Sequence, residues 1–557
     1  VSVHALPRRG WLLPGVALLL VAGCDATRGP RAGGLTNWLR VCESDADCGD
    51  LRCLCGACTL PCGAEGECAG LDGTTCIDAE ESGAIALCSG EAPTSPGLCL
   101  TRCEDDDCGR GAACVAGVCT PLPEPTARVT VDATRTYQTL LGLGAGVTYL
   151  SNDLAAHPRG EALYDVLFLD SGFELLRLRN RHGIDAAADL ASSAAIVAAA
   201  TARLGHAPVT ILSSFTPPAS LKANGATQCE ATPDTCTLAR RGDGSFDYPG
   251  LAAHWRASLE AYAAAGIVPD YIGIQNNPNW VPPDETAMEA CRFLPTEGTA
   301  TVTVDGAEVE AAFPGFDRAL TAVADAIADL TPVPRILAPE TTGFELVADY
   351  LPHLDLERVD ALAFHLYGAD PTAVNVDALQ ELARLGQRSE RPLLQTEMQE
   401  DGLGTAVLAH HAFVDGGATA YLQNDLVGLA TAPNVTQALV AIDEEEYSVQ
   451  EPYHSLRHFA RFTAPGWVRV AADHEADELL ASAWLAPSGD DLTVVLVNAG
   501  PEELAVELAP GADAPERSVV TRTVFDGVER SAALGALPAA GVVRVPGRSI
   551  VTVAFSR

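Results

Sequence analysis

From residue 140 to residue 422 one pattern recurs: a short apolar run, then a longer stretch whose apolar residues fall at helical spacing. The apolar runs are 140–146, 175–179, 209–213, 271–275, 335–338, 361–365, 393–396 and 418–422. They predict eight strands. Helices are predicted between them at 186–204, 251–265, 316–330, 376–385 and 405–414. Eight strands alternating with helices over this length predict an α/β fold, a parallel (β/α)8 barrel of the TIM type. After Phe462 the period changes. Short alternating runs at 479–486, 492–498, 504–508, 518–525, 541–545 and 550–555 are separated by Gly, Pro and Asp turns. They predict a β-sandwich side domain.

The chain ahead of the barrel has no such rhythm. Fourteen of the 18 cysteines lie between Cys42 and Cys119. An even number packed so densely predicts a small disulfide-rich module of up to seven bridges, because the segment has too few apolar residues for a core of its own. Cys55-Gly-Ala-Cys58 is a CxxC pair, but no second matching pair accompanies it, so a zinc site is not expected. Farther on, Cys229 and Cys236 are close enough to form a local staple, which leaves Cys291 unpaired. Thr120-Pro-Leu-Pro-Glu-Pro-Thr126 reads as a linker. The expected boundaries are a module at 42–119, a linker at 120–128, a barrel at 129–462 and a side domain at 463–557.

The first residues have the layout of an export signal. Arg8 and Arg9 precede an apolar run at 11–21, which is short for a membrane span. Val21-Ala22-Gly23-Cys24 then resembles a lipobox. The expectation is a signal peptide at 1–23, lipidation of Cys24, and a tether at 24–41. The protein would then be held at the bacterial cell envelope by lipid alone, in a compartment that favours disulfides. A formal net charge of -39, with Lys222 the single lysine, argues against nucleic acid and anionic membrane surfaces as partners. A monomer is expected, with no cofactor and no metal.

In a barrel of this kind, functional groups sit at the C-terminal ends of the strands. The polar residues there are Arg177, Asn276, Asn277, Glu340, His365, Tyr367, Glu397, Gln423 and Asn424, with Phe215 just past strand three. Glu397 is placed to act as a nucleophile, and an arginine such as Arg177 would favour its charged form. A retaining glycosidase needs a second carboxyl about 5–5.5 Å away.

Several ordered motifs carry a resemblance to glycoside hydrolase family 30, which includes glucuronoxylanases, β-1,6-glucanases and glucosylceramidases. The first is Thr136-Tyr-Gln-Thr-Leu-Leu-Gly-Leu-Gly-Ala-Gly146. The next are Ser213-Ser-Phe-Thr-Pro-Pro-Ala-Ser-Leu-Lys-Ala-Asn-Gly225 and Tyr271-Ile-Gly-Ile-Gln-Asn-Asn-Pro-Asn-Trp280. Arg335-Ile-Leu-Ala-Pro-Glu340, Phe364-His-Leu-Tyr-Gly368, Thr396-Glu397 and Ala460-Arg-Phe-Thr-Ala-Pro-Gly-Trp-Val-Arg-Val470 follow. The resemblance covers more than 400 residues and leaves out the Cys-rich module. It implies a β-linked polysaccharide or glycoside as the carbohydrate partner, xylan and β-glucan among the candidates. It also implies Glu397 as nucleophile, and Asn276 as the holder of the sugar 2-hydroxyl. Arg177, Phe215, Trp280, Glu340, His365, Tyr367 and Gln423 fall at substrate-binding or supporting positions.

Three departures fall on the same site. Where the family has its acid/base Glu, this chain has Asn277. The strand-three Trp is Phe215. The strand-eight segment, usually aromatic, is Tyr421-Leu-Gln-Asn-Asp425, and the Arg pair that follows it in glucuronoxylanases is absent. Asn cannot protonate a leaving alkoxide, and general acid catalysis typically supplies about 10²–10⁴-fold. Two expectations therefore stand side by side: a hydrolase that recruits another carboxyl, with Asp425, Glu400 and Asp284 as candidates, or a non-catalytic carbohydrate-binding protein of the same fold.

Overall fold

The computed structural model describes residues 37–557 except 64–67, 69–70, 72, 105–107, 109–110, 185, 230–235, 283–287, 305–306 and 512–514. The signal segment, Cys24, the tether up to residue 36 and Asp284 lie outside the described residues.

The eight predicted strands form one closed parallel barrel in chain order: Gly142–Val147, Leu175–Arg179, Val209–Ser213, Tyr271–Gly273, Arg335–Thr341, Ala361–His365, Leu393–Glu397 and Ala418–Gln423. Successive side chains along a strand alternate between the two faces. Leu175, Ile211, Tyr271, Leu337, Ala361, Ala363, Leu394, Ala420 and Leu422 form one buried cluster inside the barrel. Their sequence neighbours Leu176, Leu212, Ile272, Ile336 and Leu362 join a larger cluster with the surrounding helices. Strand two therefore sends Leu175 and Arg177 inward and Leu176 and Leu178 outward.

All five predicted helices form: Ala186–Leu204, Tyr248–Ala264, Phe316–Ile327, Val376–Ser389 and Gly402–Val414. Three of them start at a side-chain cap. Asp247, Asn375 and Asp401 accept hydrogen bonds from the backbone N–H groups of Gly250, Ala378 and Gly404 at 3.0, 3.2 and 2.9 Å. Two of these helices begin three residues before the predicted start, because the cap and not the first apolar residue sets the boundary. A hairpin, Gly298–Val304 with Ala307–Phe313, is inserted after strand four and was not predicted.

The side domain holds nine strands in one continuous sheet. Six are the predicted ones; Val468–His474 and Ala532–Gly535 are additional. The ninth corrects the expected start of the barrel at 129. Ala127–Thr139 lies in this sheet, antiparallel to Val468–His474 and parallel to Leu504–Ala509. The edge strand Val542–Val545 touches Asp491–Asn498 and Ser549–Ser556, which lie well away from it in hydrogen-bonded order. The sheet is folded over, and Val131, Val494, Val506, Val543 and Val553 share its core.

All fourteen cysteines of the module are paired: 42–53, 48–58, 55–88, 62–76, 68–99, 103–114 and 108–119. Cys55 and Cys58 take different partners, so their CxxC spacing serves two bridges. Bridges also tie up each cysteine trio close enough to hold a metal. The module packs on the side domain and does not stand apart from it. Ala116 and Val528 donate backbone hydrogen bonds to Leu534 and Gly90 across the junction, at 2.9 and 2.8 Å. Arg522 and Arg544 reach the carbonyls of Ala86 and Leu87, both at 3.2 Å. Deleting residues 25–125 should therefore lower the thermal midpoint by several degrees in a melting scan, because Ala86 and Val115 pack on the side-domain core. The described residues of the module contribute nothing to the cleft at the barrel mouth, so any ligand binding there by the surviving folded protein should be unchanged.

Candidate active site

Arg177 organises the mouth of the barrel. It is fully buried and points inward from strand two. Its Nη1 donates to Glu397 Oε2 at 2.6 Å, its Nη2 to Asn276 Oδ1 at 2.6 Å, and its Nε to Glu340 Oε1 at 3.1 Å. One guanidinium thus joins the ends of strands four, five and seven. Ser213, from strand three, donates its hydroxyl to Glu340 as well, at 3.0 Å from Oε2. Gly273 makes this possible, since a Cβ there would stand 1.9 Å from Glu340 Oε2. Glu340 also holds a left-handed backbone with φ 60°, a strained conformation of the kind that gathers at functional sites.

The two carboxyls on Arg177 are unequal. Burial alone would raise Glu397, but the neighbouring His365, then Arg177 and a hydrogen bond from the Tyr367 hydroxyl, 2.9 Å from Oε1, outweigh it and hold the group below its ordinary value. Burial drives the pKa of His365 itself down to about 3, against the pull of Glu397. Glu340 moves the other way, raised first by burial and further by the charge of Glu397. A single cation cannot balance two buried anions, and the charge settles on Glu397.

Glu397 opens into a cleft of about 710 Å³. Asn276, Asn277, Phe215, Trp280 and Tyr367 line the same cleft. The sequence placed all of these at the site. Glu340 and His365 belong to it only from beneath, as buried supports. Gln423 does not belong to it. Its side-chain amide turns away from the mouth and donates to the carbonyls of Glu400 and Gln437 at 3.2 and 2.7 Å. The next residues, Asn424 and Asp425, face the cleft in its place. Ala420 and Leu422 point into the barrel, so the pleat of strand eight turns Gln423 to the outer face.

Asn277 carries a left-handed backbone, φ 48°, that Asn tolerates well. Its N–H donates to the Glu340 carbonyl at 3.1 Å, and its side-chain oxygen is buried with no hydrogen-bond partner among the described residues. It can supply an amide to a ligand but no proton to a leaving group.

Tyr149, Met288 and Glu289 are among the cleft residues not singled out by sequence. Tyr149 stands edge-on to Phe215 with ring centres 6.0 Å apart, and Arg179 lies 4.4 Å above its ring. Glu289 pairs with Arg179, and Arg181 lies 3.8 Å away. Its two-residue strand, Met288–Glu289, pairs with Gln228–Cys229, next to the Cys229–Cys236 bridge. That bridge fastens the cleft wall carrying Trp280 and Ala290. Cys291 is free and buried beside it, as expected.

No protein-family profile matches the chain, and no curated relative does. The fold does match solved structures. A family 30 endoxylanase from Clostridium papyrosolvens C71 is 19% identical, with 77% of this chain and 100% of that chain covered and a TM-score of 0.57. An endo-β1,6-glucanase is 15% identical over 78% of this chain and 95% of that one, with a TM-score of 0.56. A conserved exported protein from Bacteroides fragilis is 14% identical over 77% and 100%, with a TM-score of 0.62. The chain has a family-30-like fold: an eight-stranded parallel barrel, a separate mainly-sheet domain and an N-terminal disulfide-rich region.

Proposed function

We propose that this protein is an exported, retaining glycoside hydrolase that acts on a β-linked polysaccharide or glycoside, xylans and β-glucans being the first substrates to try. The observation that carries the reading is the state of Glu397. Its carboxyl, at the end of strand seven, accepts hydrogen bonds from Arg177 and Tyr367, and a cleft opens before it. That is the preparation a glycosidase nucleophile needs. Asn276 and Tyr367 would hold sugar hydroxyls, and Phe215, Tyr149 and Trp280 give the cleft an aromatic lining against which a pyranose could pack. Seven bridges in the module support export, and anchoring through Cys24 belongs to the same proposal.

Trapping tests it. Incubation with 2,4-dinitrophenyl 2-deoxy-2-fluoro β-glucoside, β-xyloside and β-xylobioside should give an adduct of one glycosyl group, a monosaccharide from the first two and a disaccharide from the third, visible by intact mass and mapped to Glu397. A label on another residue would overturn the assignment. The second reading, a binding protein without turnover, is favoured by one observation, the amide at Asn277. It predicts glycan binding by calorimetry with no adduct from any of these probes.

A further inference from the structure

We propose that Asp425 supplies the proton transfer that Asn277 cannot, so that the site works through a carboxyl moved from strand four to the end of strand eight. This rests on Glu397 being the nucleophile.

Asp425 lies two residues past the end of strand eight, and strand eight is the barrel neighbour of strand seven, which carries Glu397. Both side chains line the same cleft. The groups facing Asp425 are few. The Thr148 hydroxyl, after strand one, donates to its Oδ1. Glu397 faces it from strand seven, Arg177 from strand two, Tyr149 from beyond strand one and Tyr367 from beyond strand six. The phenols of Tyr149 and Tyr367 are pushed up by burial and stay neutral. Arg177 is already committed to Glu397, Glu340 and Asn276. Among the described residues no cation pairs with Asp425.

Its environment is therefore the opposite of that of Glu397. Burial, with the charge of Glu397 adding to it, pushes Asp425 up to about 7. Two carboxyls in one cleft, one held ionised and the other holding its proton, is how acid and base roles are divided. The rival carboxyls are less suited. Glu289 is paired with Arg179 and has Arg181 nearby, so its carboxyl is already engaged. Glu340 lies under Arg177, and Glu400 lies outside the cleft lining.

The steps balance. Glu397 attacks the anomeric carbon as the bond to the leaving oxygen breaks, and the Asp425 proton passes to that oxygen to release an alcohol. Water then attacks the anomeric carbon, its proton returns to Asp425, and Glu397 leaves as carboxylate.

The test compares wild type, Asp425→Asn, Asp425→Ala and Asn277→Glu on two kinds of substrate: 2,4-dinitrophenyl β-glycosides, and unactivated xylo- and β-gluco-oligosaccharides. Asp425→Asn should cut turnover of the oligosaccharides by about 10²–10⁴-fold. Dinitrophenol should still be released in a burst, with the glycosyl adduct on Glu397 accumulating. Azide should speed Asp425→Ala and give a glycosyl azide of retained configuration. The fall of wild-type kcat/KM above pH about 7, where Asp425 loses its proton, should vanish in Asp425→Asn. Equal losses on both substrate classes, no azide effect, or an unchanged basic limb would overturn the proposal. So would full oligosaccharide turnover by Asp425→Asn. A gain of about 10²-fold from Asn277→Glu alone would show that the acid was simply missing. If wild type forms no adduct and hydrolyses nothing, the reading of Glu397 itself falls, and this proposal with it.

Discussion

Glu397→Ala should abolish turnover, with a loss on the order of 10⁴-fold or more on every glycoside the wild type hydrolyses. The loss should not depend on leaving group, because attack at the anomeric carbon is part of the first step with every substrate. Folding should survive, since Arg177 keeps Glu340 and Asn276 as partners. Added azide can enter where the carboxylate stood and attack the same face of the sugar. The product is then a glycosyl azide of inverted configuration, read from its anomeric coupling by NMR. The contrast with the retained azide expected from Asp425→Ala separates the two roles in one pair of experiments. Activity of Glu397→Ala within tenfold of wild type would remove Glu397 from the chemistry.

The largest effect on folding is expected at Gly144, in the middle of barrel strand one. A Cβ there would lie 1.8 Å from the carbonyl oxygen of Leu175 and 2.7 Å from its carbonyl carbon. Both are backbone atoms of strand two, which pairs with strand one at this residue. No rotamer change can relieve the contact, so the barrel must open between its first two strands. Gly144→Ala should cost more than about 4 kcal/mol and show as lost soluble yield or a collapsed denaturation midpoint. Gly242→Ala is the control, because a Cβ at that surface turn meets nothing within 4 Å. It should stay within about 0.5 kcal/mol of wild type.

The barrel was legible because each of its strands is a short apolar run bounded by turns, and closure follows from counting eight of them. Arg177, Asn276, Asn277, Tyr367 and Glu397 were legible at the site because strand ends converge on one mouth. What escaped depended on contacts between distant segments. The apolar residues of Val129–Asp132 suit a barrel strand or a sandwich strand equally, and only the partner at Val468–His474 decides between them. Gln423 and Asp425 are two residues apart, yet only Asp425 lines the cleft, because the chain has left the regular pleat between them. Glu289 gave no signal, since it comes from a long loop brought to the cleft by its pairing with Gln228–Cys229. The unequal charges of Glu340 and Glu397 follow from sharing one arginine, which no local pattern records.

The strand Ala127–Thr139 closes the side domain around a barrel that lies between its own parts. Its pairing partner begins at Val468, roughly 330 residues later in the chain. During synthesis this strand leaves the ribosome long before any strand it can pair with exists. If translocation is vectorial, it crosses the membrane as an unpaired edge, the kind of segment that seeks wrong partners. Val129 and Val131 face the core when folded and would be bare during that interval. Asp132 and Arg135 stand close by and are exposed in the folded protein; charges beside an exposed strand discourage pairing between nascent chains. Neutralising both charges should leave the finished protein's melting point nearly unchanged while lowering the fraction of newly made chains that reach it.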